Sequence, residues 1–208
     1  MKKILVTLLI LVAVVGAVSA SDGRIGVSVA PEWLWHNDKE SGVSTGQTSL
    51  AFMADGAHYF GKKGSGIGIE YGLGAYFPLS TWSGDTTAKI EDTSGFVFKV
   101  GVGYRYEFSD LFGLAAGIGT RGCLYSSTED VPFFGTKVTT KMFSLDIYGD
   151  VTADITLLDF LRINVGVMLG GPVYTKASIS TGGESFSGDS SEVSGFWLAP
   201  VIAVSYTY

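Results

Sequence analysis

The sequence has 208 residues, of which 46% are hydrophobic and 29 are glycine, and its formal net charge is −6. An acidic chain without a basic patch is a poor candidate for binding nucleic acid, and Cys123, the single cysteine, has no partner for an internal disulfide. After the first twenty residues, no uncharged run is long enough for a membrane helix, so the apolar residues are distributed over shorter segments.

The first element in chain order is the segment MKKILVTLLILVAVVGAVSA, residues 1–20. Lys2 and Lys3 precede an uncharged run, and small residues stand before the end of the segment, which predicts a cleaved export signal. The apolar run is shorter than the roughly 20 residues of a spanning helix, so a retained anchor is the less favoured alternative. Loss of the two lysines takes the charge from −6 to −8 in the mature chain, residues 21–208.

Apolar residues then alternate with small or charged residues at a period of two, which indicates strands with two unlike faces. In GFVFKVGVGYRYEF, residues 95–108, large apolar side chains occupy every second position. Eight segments follow this pattern and are predicted as strands: 23–35, 48–60, 66–77, 95–108, 112–125, 140–155, 161–173 and 194–208. The second segment loses its phase near Asp55 and Gly56, where we expect a β-bulge.

The connections between these segments alternate in length. Short ones at 61–65, 109–111 and 156–160 are separated by longer polar ones at 36–46, 78–94, 126–139 and 174–193. This order is typical of outer-membrane barrels, in which long external loops alternate with short periplasmic turns. An even number of strands also closes an antiparallel sheet without an unpaired edge.

The narrow interior of an eight-stranded ring decides which face meets which surroundings. Such a barrel is just wide enough to be filled by side chains, so the small and polar set belongs inside and the large apolar set faces lipid. The predicted fold is therefore all-β, an eight-stranded antiparallel up-and-down transmembrane β-barrel over residues 21–208. An exported soluble β-sandwich or lipocalin-like barrel is the alternative, but it predicts mostly polar outward positions.

The chain resembles the small eight-stranded outer-membrane β-barrel superfamily, which includes the OmpA membrane domain, OmpX, OmpW and the neisserial opacity proteins. The resemblance rests on the signal segment, on the glycine-rich strands GIGIEYGLGAYF and FKVGVGYRYEF, and on the ending PVIAVSYTY. It implies that the last strand, with Tyr206 and terminal Tyr208, is the signal that the outer-membrane insertion machinery reads. Phenylalanine is the commoner last residue in that superfamily, so Tyr208 is a departure from the pattern.

Ionisable residues on the inward positions form a candidate polar network. Its members are Glu70, Lys99, Arg105, Glu107, Arg121, Asp146, Asp150, Asp154 and Arg162. Hairpin register predicts that Asp154 lies nearly opposite Arg162 and that Asp146 is diagonal to Arg121. The favoured interpretation is a set of ion pairs that plugs the barrel, and the alternative is a gate or path for a small solute or ion.

Other motifs carry less information. GIGTRG, residues 117–122, matches a dinucleotide-binding pattern, but no helix follows it. His36 is the loop histidine that an enzyme of this superfamily would use with Ser83 and Asp85, and no spacing rule supports that triad. We expect no catalytic residues, no cofactor and no metal site.

Aromatic residues collect near both ends of the predicted strands, where they are expected to form girdles at the lipid headgroups. The loop-end set is Trp33, Trp35, Trp82, Trp197, Tyr76, Tyr125 and Phe77. The turn-end set is Tyr59, Tyr104, Tyr106, Phe108, Tyr206 and Tyr208.

These observations predict a non-enzymatic protein of the bacterial outer membrane, with extracellular loops and periplasmic termini. Its expected partners are membrane lipid, the insertion machinery and host or cell-surface molecules that the four loops contact, as in adhesion. A narrow channel for small or hydrophobic solutes, as in OmpW, is the second hypothesis. A lipid A-modifying enzyme is the third.

Overall fold

The computed structural model describes residues 22–37, 44–61, 65–90, 93–131, 136–181, 184–190 and 195–208. The predicted signal peptide, residues 1–20, lies outside these ranges and stays a prediction. Ten strands are present in these ranges: β1 (Asp22–Asn37), β2 (Ser44–Phe60), β3 (Gly66–Ser83), β4 (Thr86–Lys89), β5 (Ser94–Ser109), β6 (Phe112–Val131), β7 (Thr136–Leu158), β8 (Leu161–Thr181), β9 (Glu184–Ser190) and β10 (Gly195–Thr207).

Eight of the strands close into a ring. In the order β1, β2, β3, β5, β6, β7, β8 and β10, each strand pairs antiparallel with the next, and β10 pairs with β1. The short strands β4 and β9 lie outside the ring, where they pair with the ends of β3 and β8. The fold is thus the predicted eight-stranded antiparallel barrel. The described part of the chain contains no helix long and apolar enough to cross a membrane.

The two faces of the sheet are as unlike as the alternation predicts. On β5, Tyr104 and Tyr106 are 53% and 51% exposed, whereas Arg105 between them is 1% exposed. On β6, Ile118 is 67% exposed and Arg121 is 2% exposed. The outside of the barrel is therefore apolar and the inside is polar, the reverse of a soluble sheet protein.

One end of the barrel carries tight turns, the start of β1 and the last residue. The turn residues 110–111 and 159–160 join β5 to β6 and β7 to β8. The backbone N–H of Tyr208 donates to the carbonyl oxygen of Gly23 at 2.9 Å, which ties the last residue to the first strand. The Tyr208 hydroxyl lies 3.2 Å from His58 Nε2. The role of Tyr206 and Tyr208 as an insertion signal stays a prediction.

The opposite end differs from the expected long polar loops. β6 continues to Val131 and β7 begins at Thr136. The two strands therefore form a hairpin over most of the predicted loop at 126–139. The predicted loop at 174–193 likewise contains the hairpin of β8 and β9. These segments are rich in serine and threonine and show no regular alternation in hydropathy, yet their strands pair in register.

The expected bulge near Asp55 and Gly56 is wrong. The pairing of β2 with β3 is continuous there, and the register shifts instead between Thr48 and Ser49. Asp55 points inward in phase with its strand, and outward Gly56 lies beneath the ring of its cross-strand partner Tyr71, which occupies the space that a Cβ atom would need. The apparent loss of phase is thus a glycine covered by an aromatic ring.

Candidate functional site

Asp154 on β7 is the centre of the ion-pair layer nearest the turn end. It is fully buried, and it accepts from Arg24 Nη1 at 2.9 Å and from Arg105 Nε at 2.7 Å. Asn164 donates to the same carboxylate at 2.5 Å and in turn accepts from Ser205 at 2.8 Å. One carboxylate thus bridges two guanidinium groups drawn from different strands of the ring.

Glu70 extends this layer across the barrel. The hydroxyl of buried Tyr59 donates to Glu70 Oε1 at 2.5 Å, and Arg24 Nη2 donates to that hydroxyl at 3.4 Å. A Cβ atom at Gly117 would lie 2.7 Å from Asp150 Oδ1 and 3.1 Å from Glu70 Oε2. Glycine on the inner wall therefore makes the space that these two carboxylates occupy.

A second layer lies nearer the middle of the barrel. Lys99 Nζ forms an ion pair with Asp55 Oδ1 at 3.0 Å, and Ser28 donates to the other oxygen of Asp55. Buried Tyr148 lies across from them, and its hydroxyl stands over the inner wall at Gly101. Together with the layer below, this layer occupies the interior of the barrel.

Arg121 heads the uppermost layer. Its Nη2 lies 2.5 Å from Glu32 Oε1, and its Nη1 lies 3.6 Å from Asp146 Oδ2. The guanidinium also stands over the Trp197 ring, 4.6 Å from its centroid, while Trp197 Nε1 donates to Asp146 at 3.1 Å. All four side chains are buried, so one guanidinium is shared between two carboxylates in this cluster.

Above this cluster the barrel opens into a cavity of about 530 Å³ at the loop end. Glu32, Arg121 and Asp146 lie at its floor, and apolar or aromatic side chains supply much of its wall. The wall includes Leu34, Tyr76, Trp82, Tyr125, Met142, Pro172 and Trp197. A cavity of this size with a few convergent polar groups is typical of a binding site for a small molecule.

Tyr125 and Met142 hold one side of the cavity wall together. They are cross-strand partners on β6 and β7, and the Tyr125 hydroxyl lies 2.7 Å from Met142 Sδ. The same hydroxyl donates to Gln47 Oε1 at 3.3 Å, and Gln47 Nε2 donates to Tyr76 at 3.1 Å. The hydroxyl groups of Tyr125 and Tyr76 are thus linked through the side-chain amide of Gln47.

The structure places every residue of the predicted network on the inner wall, but two of the expected pairings are wrong. Asp154 lies opposite Asn164, and Arg162 lies opposite Thr156, because β7 continues to Leu158 instead of ending at residue 155. Arg162 instead lies 3.8 Å from Glu107 Oε1. Asp146 is the direct partner of Arg121 rather than its diagonal neighbour.

The sequence did not reveal which aromatic residues line the cavity. Tyr76, Tyr125 and Trp197, expected in the headgroup girdle, all point inward, and Tyr59, expected at the turn end, is 1% exposed. The alternation could have predicted the inward direction of Trp197, since this residue lies between outward Phe196 and Leu198. Glu32 and Arg24 were also missed, although they occupy inward positions of the first segment.

The hypothetical triad is not assembled. His36 and Ser83 both line the cavity, but each pairs with Thr45 from opposite sides, so they are two strands and about 10 Å apart. Asp85 is exposed in a turn. GIGTRG lies inside β6, and among the described residues no His, Cys, Asp and Glu side chains group so that they could hold a metal ion.

Comparison with known proteins identifies the fold. No protein-family model and no curated protein matches this chain. The outer membrane protein OprG from Pseudomonas aeruginosa superimposes with a TM-score of 0.60 at 18% identity, over 91% of this chain and 96% of that one. A major outer membrane protein from Thermus thermophilus gives 0.54 at 12% identity, over 89% and 99% of the two chains. The predicted resemblance to small outer-membrane barrels is confirmed for the fold.

Proposed function

We propose that this chain is a bacterial outer-membrane barrel whose loop-end cavity binds a small, mostly apolar molecule from outside the cell. The observation that carries the proposal is the cavity itself, with its aromatic wall above the charged cluster of Arg121, Glu32 and Asp146. The cluster gives a polar group of the ligand a place to hydrogen-bond, and the wall supplies apolar contact. The role is one of binding, without catalysis.

The outer surface supports the membrane location. On β6 the outward positions from Phe112 to Leu124 contain only one polar side chain, Thr120. Twelve residue steps of about 3.3 Å on a strand tilted by about 40° span about 30 Å, which matches the hydrocarbon thickness of a bilayer. Under this proposal, the tight turns and termini lie in the periplasm and the hairpins outside.

The interior below the cavity favours a closed site over an open channel. The Lys99 and Asp55 pair and the Asp154 cluster occupy the barrel beneath Arg121. A solute that entered from the loops would therefore have to displace at least two layers of paired charges, each of which is costly to separate. The binding hypothesis needs no such displacement.

Filling the cavity tests the proposal. Ser144 is an inward residue of the wall, so Ser144→Phe places a ring in the cavity, whereas Ser80→Phe adds the same ring outside it. With the mature chain in phosphatidylcholine nanodiscs, saturable binding of indole is expected for the wild type and for Ser80→Phe. Ser144→Phe is expected to weaken binding at least about tenfold, the equivalent of about 1.4 kcal/mol of lost contact. Equal binding by both variants, each shown to be folded by its heat-dependent electrophoretic shift, contradicts the proposal.

A second candidate function is contact with other cells or molecules through the hairpins. It is favoured by the exposed apolar pair of Ile179 and Phe186, which face each other across β8 and β9 at 46% and 64% exposure. Phe186→Ser is expected to reduce attachment of whole cells to surfaces under this hypothesis, while indole binding stays unchanged. Attachment that does not respond to Phe186→Ser leaves the cavity as the supported site.

A further inference from the structure

A groove of about 400 Å³ lies on the outer wall of the barrel near the loop end. It forms where β5 begins, at Ser94, because β6, β7 and β8 continue beyond that level without β5 beside them. Phe96, Leu124 and Phe143 form its lower part, and Lys141 and Lys176 form part of its rim. Both lysines are exposed.

The groove straddles the boundary between the apolar belt and the polar hairpins. On β6, outward Leu124 is followed by outward Ser126, and on β7, outward Phe143 is preceded by outward Lys141. Ser126 and Lys141 are direct partners, as are Leu124 and Phe143, so the change occurs at one level on both strands. Under the proposed location, this level is that of the lipid headgroups in the outer leaflet.

The two lysines stand close together on adjacent strands. Lys141 is opposite Ser178 and Lys176 is opposite Phe143, so the lysines are diagonal neighbours with Cβ atoms within about 8 Å. Among the described residues, neither lysine forms an ion pair within 4.0 Å. Lys176 also lies opposite Asp189 of β9 in register. The two lysines and this aspartate together carry one net positive charge. Two like charges this close favour a shared counter-ion.

We propose that this groove binds the phosphate-bearing headgroup of an outer-leaflet lipid, with the acyl chains along Phe96, Leu124 and Phe143. Lys141 and Lys176 supply ammonium donors for the phosphate, and Ser126 is the direct cross-strand partner of Lys141. Each lysine near a membrane surface contributes enough attraction to change affinity about fivefold. The inference rests on the outer-membrane location in the proposed function, but not on the cavity ligand.

The test uses the mature chain in a non-ionic detergent, titrated with bisphosphorylated lipid A while native mass spectrometry counts bound lipid. Lys141→Gln and Lys176→Gln are each expected to lower affinity about fivefold, and the double variant about 25-fold. Lys89→Gln removes the same charge at the same end but outside the groove, so it is the matched control and is expected to bind like the wild type. Dephosphorylated lipid A is expected to bind no better to the wild type than to the double variant.

Several outcomes overturn the inference. The first is an equal loss of lipid A affinity in Lys89→Gln and in the groove variants, and the second is binding of dephosphorylated lipid A as strong as that of lipid A. The other two are displacement of lipid A by equimolar inorganic phosphate and a mass spectrum in which a second copy of the chain is bound instead of the lipid. Indole binding by the double variant separates the two proposals, since it is expected to persist. A chain that shows no heat-dependent shift and does not enter bilayers contradicts both the location and this site.

Discussion

Arg121 on β6 and Asp146 on β7 are direct cross-strand partners whose side chains form an ion pair of 3.6 Å inside the barrel. The pair lies where the interior changes from filled to open, with the cavity on one side and the Lys99 layer on the other. Glu32 adds a second carboxylate to Arg121, so the charge of the cavity floor depends on a single guanidinium.

Replacing Arg121 is expected to change the ligand charge that the cavity prefers. Arg121→Met keeps an apolar stem but leaves Glu32 and Asp146 without their cation, so a cationic ligand gains a partner that a neutral one cannot use. We expect the affinity ratio of tryptamine to indole to rise about tenfold, since a hydrogen bond to a charged group is worth about 1.5 kcal/mol or more. Equilibrium binding in nanodiscs measures the ratio. An unchanged ratio in a folded Arg121→Met variant shows that the ligand does not reach the floor.

Asp154 is expected to be the most sensitive single position for stability. Asp154→Asn removes the negative charge that pairs with Arg24 and Arg105, and breaking a buried pair in this way costs about 3 to 5 kcal/mol. The change in the free energy of unfolding is measured in a urea titration, with the loss of the heat-dependent electrophoretic shift as the readout of unfolding. Asp159→Asn, in the exposed turn next to the same strand, is the control and is expected to have little effect. A similar midpoint for the two variants rules out a structural role for the layer.

If the apolar outer face contacts lipid as proposed, the cost of a charge on it is expected to depend on depth in the bilayer. Ile118 is exposed near the middle of the outer face, so Ile118→Arg should destabilise the barrel in bilayers by about 2 to 4 kcal/mol. Thr128→Arg, on the same strand but beyond the belt, should cost no more than about 1 kcal/mol. Reversible unfolding from phosphatidylcholine vesicles compares the two. If both variants are as stable as the wild type, the outer face is not in contact with hydrocarbon.

The ring of strands was predictable because its two faces meet different surroundings. Where Tyr104 and Tyr106 alternate with Arg105, one residue of slip would move a charge onto the apolar outer face, so the pattern is unambiguous. The hairpins were not predictable in the same way, since they are rich in serine and threonine and show no regular alternation in hydropathy. The sequence thus predicted the strands where the outer face is apolar, but not their continuation into the hairpins.

The site was predictable only in part. Alternation placed Arg121 and Asp146 inside, but it does not state which inward side chains meet across the ring, and Glu32 is nearly ninety residues away from Arg121 in the chain. The partner of Asp154 depended on where β7 ends, and hydropathy does not mark the change from strand to turn at Leu158. The cavity is a property of side-chain sizes summed around eight strands, so it appears only in three dimensions.

The most direct test of the cavity is the methyl NMR spectrum of methionine in the mature chain, recorded in nanodiscs during an indole titration. Met142 lines the cavity, whereas Met53 and Met168 are buried in the wall and do not contact it, so the chain carries its own internal controls. We predict a saturable shift of the Met142 methyl resonance from the ring current of the bound ligand, with the other two resonances unchanged. Equal shifts at all three methionines, or none at Met142 at saturating indole, would contradict the account.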